Sequence, residues 1–173
     1  PFWTTPLIGY VIYGEYVEDL IYKKTVDGGA NWSAAVPIRA GYIVSYDCWA
    51  DWQTAGDVGT KIHIVYIDYN SDDIRYVYLD TSTDTVGGDD QIVACQGTGS
   101  IASYGKNRGY SLSTITKTRG GNLAVAIHHT DDAEVHFYSF YTSPDATNWT
   151  SKNTPWEAEA DDILLFPGNE ADN

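Results

Sequence analysis

Neighbouring carboxylates are the side chains of this sequence with the most evident potential for chemistry. Aspartates occur as adjacent pairs, namely Asp72-Asp73, Asp89-Asp90, Asp131-Asp132 and Asp161-Asp162. A glycoside hydrolase needs two carboxyl groups at a defined separation across a cleft. Adjacent aspartates in loops more often cap turns or face water. The pairs alone therefore do not predict a catalytic site.

Histidine and cysteine, the other common metal ligands, are sparse. The histidines are His63, His128, His129 and His136. Successive residues of a strand point to opposite faces, so His128 and His129 cannot hold the same metal ion. Cys48 and Cys95 lack the spacing of a metal or redox motif, and the sequence has no Gly-rich phosphate loop or serine nucleophile elbow. We therefore predict no metal and no cofactor.

The composition excludes some partners and favours a β fold. The 173 residues carry 24 acidic and 10 basic side chains, which give a net charge of −14. A field of this sign repels phosphate backbones, so we do not expect nucleic acid as a partner. No apolar run is long enough to cross a membrane, so we expect no membrane insertion. With 14 Tyr, 16 Gly and no Met, the composition is typical of an extracellular β protein, and we expect an extracellular or virion-surface location.

Three segments of the chain share one pattern, which indicates an internal repeat. Each has an apolar strand, a short acidic loop, a second strand and a turn with an aspartate, and the segments are Gly9–Gly29, Ile62–Asp84 and Leu123–Asp145. In the second segment His63, Val65 and Ile67 face one way, and the large residues between them face the other. This pattern favours a sheet that is packed on both faces.

We therefore predict an all-β fold, a β-propeller of four-stranded antiparallel blades, with about three blades in this chain. A single propeller domain, 1–173, would contain an incomplete first blade at 8–38, a second blade at 42–96 and a third blade at 108–156. The first blade would begin at its second strand. The segment 157–173 would hold the start of a further blade, with Asp162–Phe166 as its strand, or a strand exchanged with a partner.

This partial propeller leads to an expectation about assembly. Closed propellers typically have about four to eight blades, which is more than this chain supplies. An unpaired strand position and exposed sheet faces would invite pairing with another chain. We expect either a homo-oligomer, such as a dimer that completes a ring of about six blades, or the rest of a longer chain. The first residue, Pro1, and the absence of Met fit a processed or excerpted chain.

One turn of the repeat carries a recognisable pattern. Residues 25–32 read TVDGGANW, which matches Ser/Thr-x-Asp-x-Gly-x-x-Trp. Asp27 can accept hydrogen bonds from backbone N–H groups of the turn, and Thr25 can do so more weakly. Gly29 permits a positive φ, and Trp32 can wedge beside the hairpin. We predict that these four residues are structural and that Trp32 is mostly buried.

A degenerate copy of the pattern occurs in the third segment, where residues 143–149 read SPDATNW. Ser143, Asp145 and Trp149 would have the same structural roles, with Trp149 mostly buried, and Ser82-Thr-Asp84 is a remnant. These residues resemble the Asp box of the sialidase-like, or bacterial neuraminidase repeat, β-propeller superfamily. The resemblance implies that each box lies on the turn between the third and fourth strands of a blade. All boxes would share one rim, opposite the active site.

The resemblance also directs a search for the catalytic residues of sialidases. That family binds the substrate carboxylate with three arginines and uses a Tyr–Glu nucleophile pair with an aspartic acid/base. The arginines of this chain are Arg39, Arg75, Arg108 and Arg119, and none lies in the family's arginine motif ahead of the first box. No arginine triad or Tyr–Glu pair can be assigned, and a shared fold does not confer function. We therefore predict no catalytic residues.

The rim opposite the boxes is where the resemblance implies a ligand site. Loops between second and third strands would meet there with the entries to the first strands, and would gather Asp47, Trp49, Asp68, Asp72, Lys106, Arg108, His129 and Asp131. Carboxylates, a guanidinium and an indole can hydrogen-bond to sugars and stack on them. We predict a non-catalytic module for glycan recognition, adhesion or structural assembly, such as a viral or cell-surface appendage. The alternatives are a fragment of a sialidase-like glycoside hydrolase and a purely structural interaction protein.

The blade alignment also bears on disulfide formation and on N-glycosylation. Cys48 and Cys95 would lie on the inner and outer strands of one blade, roughly 14 Å apart, beyond the about 7 Å that a disulfide allows between Cα atoms. We therefore predict two free thiols. The segments 31–33 and 148–150 read NWS and NWT, which are N-glycosylation acceptors. We interpret them as by-products of the turn pattern.

Overall fold

In the computed structural model the described residues are 1–14, 19–68, 71, 73–93, 112–130 and 136–152. Over these ranges the chain is all-β, with three four-stranded antiparallel sheets and one short 3-10 helix at Asp51–Gln53. The sheets follow one another along the chain and are consistent with part of a propeller. The chain divides into two compact units, Pro1–Ile43 and Val44–Asn173. No helix among the described residues is long and apolar enough to cross a membrane.

The first unit holds the first sheet, whose strands are paired in chain order. They are β1 (Phe2–Trp3), β2 (Gly9–Gly14), β3 (Leu20–Thr25) and β4 (Val36–Arg39). The expectation that this blade is incomplete and begins at its second strand is wrong, because Phe2 pairs with Tyr10 and Trp3 with Gly9. A strand of two residues is too short to show alternation in the sequence. The strand position that we expected a partner to fill is therefore occupied by β1.

The second unit holds the other two sheets, each also paired in chain order. The second sheet consists of β5 (Ile43–Ala50), β6 (Lys61–Asp68), β7 (Ile74–Asp80) and β8 (Thr85–Val93). The third consists of β9 (Leu112–Lys117), β10 (Leu123–Thr130), β11 (His136–Ser143) and β12 (Thr150–Ser151). Both sheets fall inside the ranges 42–96 and 108–156 that the sequence predicts for the second and third blades.

Strand β6 is buried on both faces, as its sequence indicates. Val65 and Ile67 on one face, and Ile64 and Tyr66 on the other, are all fully buried. The face with Val65 and Ile67 contributes to an apolar core shared with the third sheet, together with Ile115, Leu123, Val125 and Ile127. The burial of aliphatic side chains from both sheets gives this core its stability. The shared core also places β6 next to β9.

Two expectations concern residues outside the described ranges in whole or in part. Cys48 lies in β5 as a free, half-buried thiol, and burial followed by the charge of Asp47 raises its pKa. Cys95 and the segment Asp162–Phe166 lie outside the described residues. The predictions of a second free thiol and of a strand in 157–173 therefore stay predictions.

Candidate functional site

The turn between β3 and β4, here called the Asp27 turn, is held by a buried hydroxyl and an exposed carboxylate. Thr25 Oγ1 donates to Asp27 Oδ1 at 2.8 Å and accepts from the Gly29 N–H at 3.0 Å. The backbone and side-chain N–H groups of Asn31 donate to the two Asp27 oxygens at 2.9 and 2.8 Å. These bonds from Asn31, and then the bond from Thr25, lower the pKa of Asp27 to about 2. The carboxylate organises the turn, as the sequence predicts for this position.

The turn between β11 and β12, here called the Asp145 turn, repeats this arrangement. Ser143 Oγ donates to Asp145 Oδ1 at 3.1 Å. The backbone and side-chain N–H groups of Asn148 donate to the two Asp145 oxygens at 2.7 and 2.6 Å. These hydrogen bonds from Asn148, and then one from Thr147, lower the pKa of Asp145. Ala146 takes the left-handed conformation with φ of 67°, where the Asp27 turn has Gly28 with φ of 71°.

The tryptophans that follow the two turns have different environments. Trp32 is 38% exposed, and its ring meets Trp3 edge-on at 6.4 Å, so the expectation that Trp32 is mostly buried is wrong. Trp149 is half-buried and packs on the core of the second unit, with its ring centroid 5.6 Å from that of Tyr76. Trp149 packs on an aromatic ring of the neighbouring second sheet, whereas the ring contact of Trp32 is with Trp3 of the two-residue strand β1.

The turn between β7 and β8 uses a different aspartate from the remnant pattern. Asp80 Oδ1 accepts hydrogen bonds from the Ser82 N–H at 2.9 Å, the Ser82 hydroxyl at 2.7 Å and the Thr60 hydroxyl at 2.9 Å. The bonds from Ser82 are the main cause of the lowered pKa of Asp80. Asp84 instead adopts a left-handed backbone, with φ of 56°.

Two of the predicted ligand residues have hydrogen bonds inside the second unit. Asp47 Oδ2 accepts from the Thr114 hydroxyl at 2.8 Å and from the Ile115 N–H at 3.0 Å. This carboxylate therefore joins β5 to β9. The Trp49 indole N–H donates to Thr54 Oγ1 at 2.9 Å. Both side chains contribute to the packing of the second sheet on the third.

The remaining predicted ligand residues are described only in part. Asp68 is buried at the end of β6, where its Oδ1 accepts from the Ser71 N–H at 3.3 Å and its backbone N–H donates to the Asp73 carbonyl at 3.0 Å. His129 lies in β10 opposite Phe137. Four others, Asp72, Lys106, Arg108 and Asp131, lie outside the described residues. A ligand site on that rim stays a prediction.

A polar cleft that the sequence did not reveal lies between the second and third sheets. It has a volume of about 400 Å³ and is bordered by the connection after β5, the ends of β6 and β9, and the Asp145 turn. The polar and charged side chains that line it include Asp51, Lys61, His63, Tyr76, Lys117 and Asp145. All belong to the second unit.

Asp51 is the centre of the hydrogen bonds in this cleft. The residue is only 2% exposed, and its Oδ1 accepts from His63 Nε2 at 2.8 Å and from Lys117 Nζ. Its Oδ2 accepts from the Lys61 backbone N–H at 2.8 Å. Burial opposes ionisation, but the bonds from His63 and Lys117 lower the pKa of Asp51. Gly59 leaves room for this carboxylate, since a Cβ there would collide with it.

His63 connects Asp51 to a buried tyrosine. His63 Nδ1 lies 2.6 Å from the Tyr76 hydroxyl, and the two rings stack with centroids 5.9 Å apart. Because ionised Asp51 can only accept, His63 Nε2 carries a proton and donates to it, and Nδ1 accepts from the Tyr76 O–H when the ring is neutral. The chain of hydrogen bonds therefore runs from Tyr76 through His63 to Asp51.

The two lysines of the cleft have different partners. Lys117 Nζ contacts Asp51 and lies 2.8 Å from Asp57 Oδ2, and its side chain is 16% exposed. Burial opposes protonation, but these two hydrogen bonds raise the pKa of Lys117. Lys61 Nζ lies over the ring of Tyr78, 4.0 Å from its centroid. The cleft thus contains ordered ammonium and carboxylate groups beside an open volume.

The chemistry of this cleft suits a polyhydroxyl ligand better than a metal ion. The described residues contain no group of three His, Cys, Asp or Glu side chains that could hold a metal. The wall instead presents both donors and acceptors, which matches sugar hydroxyl groups because each of these both donates and accepts. The charged residues that could have pointed to this cleft in the sequence are Asp51 and Asp57, in the connection after β5, and Lys117 at the end of β9. Only the fold brings them together.

Comparisons with known proteins support the fold class. No protein-family model matches the chain, and a search of curated proteins gave no significant match. An α-L-arabinofuranosidase from Podospora anserina, solved in complex with cellotriose, is 11% identical with a TM-score of 0.53. The match covers 94% of this chain and 51% of that one, so this chain spans about half the length of the enzyme.

Two structures of a polysaccharide lyase, the PL25 ulvan lyase, also match, one of them bound to -[GlcA(1-4)Rha3S]-. They are 14% and 13% identical to this chain, each with a TM-score of 0.49, over 82% of this chain and 40% of the lyase. These structural neighbours are carbohydrate-active enzymes, and none of the three is a sialidase. At 11% identity, the similarity to the arabinofuranosidase concerns the fold alone.

Proposed function

We propose that this chain is a non-catalytic, propeller-type module that binds glycans in the cleft between the second and third sheets. The observation that carries the proposal is the cleft itself, an open volume of about 400 Å³ walled by ordered ammonium and carboxylate groups. Among the described residues, none of the ligand residues that the sequence predicts is part of the cleft lining, so the proposed site differs from the predicted rim.

The cleft is preorganised for such a ligand. Lys117 and Asp51 hold each other in place, and the Asp145 turn, which also lines the cleft, is held by its own hydrogen bonds. Side chains that are already ordered lose little conformational entropy when a ligand binds. A sugar can hydrogen-bond to the outer atoms of these groups without disturbing the pairs. Affinity for one sugar ring would be modest, which is typical of modules that act by adhesion through several copies.

The structural neighbours are compatible with a glycan ligand. The arabinofuranosidase that shares the fold is described in complex with a glucose oligomer, cellotriose. Its fold is therefore one that can present a sugar-binding site, and the cleft supplies the candidate site in this chain. A module of this kind would act outside the cell or on a virion surface, in agreement with the composition.

A glycan-array screen followed by calorimetry tests this proposal. Lys61→Met should weaken binding of any glycan found by about tenfold, since it removes an ammonium donor from the cleft wall. The matched control is Lys152→Met, which removes an exposed lysine outside the cleft and should leave affinity unchanged. The absence of any glycan ligand, or equal affinities of the two variants, would refute the proposal.

A further inference from the structure

The charges of the cleft bear on the kind of glycan it accepts. We infer that the cleft selects uncharged oligosaccharides and rejects those that carry uronate or sulfate groups. This inference rests on the proposed function and adds a ligand class to it. It follows from the partners of the two ammonium groups and from the carboxylates around them.

The Lys117 ammonium is already neutralised. It lies between the carboxylates of Asp51 and Asp57, with Nζ 2.8 Å from Asp57 Oδ2. An incoming carboxylate or sulfate would have to share this cation with two fixed anions. Displacing either carboxylate would leave a partly buried charge without its partner, which is strongly unfavourable. Lys117 can therefore offer a hydrogen bond to a hydroxyl group, but it cannot provide the charge for an anion.

The remaining charges do not reverse this balance. Lys61 is the other ammonium on the wall, and it already lies over the Tyr78 ring. Asp145 also lines the cleft, so the carboxylates of Asp51 and Asp145, together with that of Asp57 beside Lys117, outnumber the two lysines. The whole chain adds to this field with a net charge of −14. The negative charges of the protein repel an anionic ligand, and this repulsion lowers both its affinity and its association rate.

Sites that do bind anionic groups usually present arginine side chains with free hydrogen-bonding edges. No arginine lines this cleft among the described residues. Arg75 lies elsewhere, with Nε 3.0 Å from Asp89 Oδ1 and Nη1 3.5 Å from Asp73 Oδ2. Arg119 belongs to the turn after β9, but it is exposed and is not part of the cleft wall.

Matched pairs of oligosaccharides test the inference on the whole chain. The probes are hexamers that differ only in oxidation at C6: cellohexaose and its cellouronate, galactohexaose and hexagalacturonate, mannohexaose and hexamannuronate. We expect at least one neutral hexamer to bind, and its acidic counterpart to bind at least about tenfold more weakly. The discrimination should shrink as sodium chloride is raised, because salt screens the repulsion.

A charge variant shows whether the cleft itself is responsible. Asp57→Asn frees one side of Lys117, and the amide oxygen of the new side chain can still accept the hydrogen bond that Asp57 Oδ1 takes from the Gly59 N–H at 2.8 Å. This variant should narrow the neutral-to-acidic affinity ratio several-fold. The control Asp19→Asn makes the same change in net charge in the first unit, at a carboxylate that also accepts a backbone N–H, and should leave the ratio unchanged.

The outcomes separate the two proposals. An acidic hexamer that binds as well as its neutral counterpart would overturn the selectivity and leave glycan binding in place. An equal effect of Asp57→Asn and Asp19→Asn would also overturn it, by showing that only the long-range field matters. Failure of every hexamer, after an array with no ligand, would refute glycan binding and the selectivity with it.

Discussion

The Asp27 turn and the Asp145 turn have nearly the same hydrogen bonds but different surroundings. In both, a buried hydroxyl precedes an exposed carboxylate, which in turn accepts from the backbone and side chain of an asparagine. The tryptophan after the first turn is exposed, whereas the one after the second packs on a core of aliphatic side chains. A local pattern can therefore specify a turn without specifying what the turn contributes to stability.

The largest expected difference between the turns concerns these two tryptophans. Trp149→Ala removes a ring that packs on Tyr76 and should lower the free energy of unfolding by about 2–3 kcal/mol. Trp32→Ala removes a ring whose main aromatic neighbour is Trp3 and should cost less than about 1 kcal/mol. Urea unfolding followed by circular dichroism measures both values.

A conservative variant separates ring packing from the indole N–H. Trp149 Nε1 is buried and has no hydrogen-bond partner among the described residues. Trp149→Phe should therefore recover most of the stability lost in Trp149→Ala, because it restores ring contacts and removes an unsatisfied donor. Equal losses for Trp32→Ala and Trp149→Ala would show that the two environments do not differ in energy.

The next difference is the left-handed residue of each turn. Gly28→Ala places in the Asp27 turn the residue type that the Asp145 turn has at Ala146. The left-handed backbone costs a non-glycine residue about 1–2 kcal/mol, and the lower entropy of the unfolded chain offsets part of this. We expect a net loss of about 1 kcal/mol in chemical unfolding, since a Cβ at Gly28 would meet only ordinary contacts.

The reverse change checks the same comparison in the second unit. Ala146→Gly relieves the strain of a φ of 67° but removes a methyl group that packs on the core. The two effects oppose each other, so the change in stability should stay within about 0.5 kcal/mol. A gain well above this value would show that the methyl contact contributes nothing.

A smaller effect, common to both turns, should appear in acid. The pKa of Asp27 is lowered from 3.8 to about 2 by its hydrogen bonds, and that of Asp145 is lowered in the same direction. A carboxylate with a lowered folded-state pKa contributes stability above its unfolded pKa, and this is lost as the pH falls through the folded value. The contribution of the Asp27 turn should therefore be complete above about pH 4 and should fade between about pH 4 and 2, and that of the Asp145 turn should begin to fade below about pH 4 as well.

Thermal melts of the wild type, Asp27→Asn and Asp145→Asn measure this effect. Each variant should melt a few degrees below the wild type at about pH 6, and the difference should shrink as the pH falls to about 2. Asparagine keeps the shape of the side chain while removing the charge. A difference that is independent of pH would mean that the charge of these carboxylates does not stabilise the turns.

The last prediction is that neither turn is glycosylated. The amide nitrogens of Asn31 and Asn148 donate to the neighbouring aspartates at 2.8 and 2.6 Å, so the atoms that would carry a glycan already have partners. We expect mass spectrometry of native material to find both asparagines unmodified. A glycan on Asn31 alone would still distinguish the exposed turn from the packed one, and would contradict this prediction.

Much of the fold was predictable because strand alternation and turn chemistry are local. The alternation of β6 correctly indicated a strand buried on both faces. The hydroxyl–aspartate spacing drew attention to the two turns, but the side-chain hydrogen bonds from Asn31 and Asn148 were not predicted. Strand β1 was missed because two residues show no period. The cleft was missed because Asp51 and Lys117 are 66 positions apart, and neither belongs to a motif.

The sequence by itself therefore determined the all-β class and the order of the strands in the second and third sheets, and it drew attention to the two aspartate turns. All of these depend on residues that are close to one another along the chain. The tertiary structure alone decided that Trp149 is packed while Trp32 is exposed, and that Asp51, His63 and Lys117 share one cleft. Burial and electrostatic pairing depend on which surfaces meet, and this is settled only when the sheets pack together.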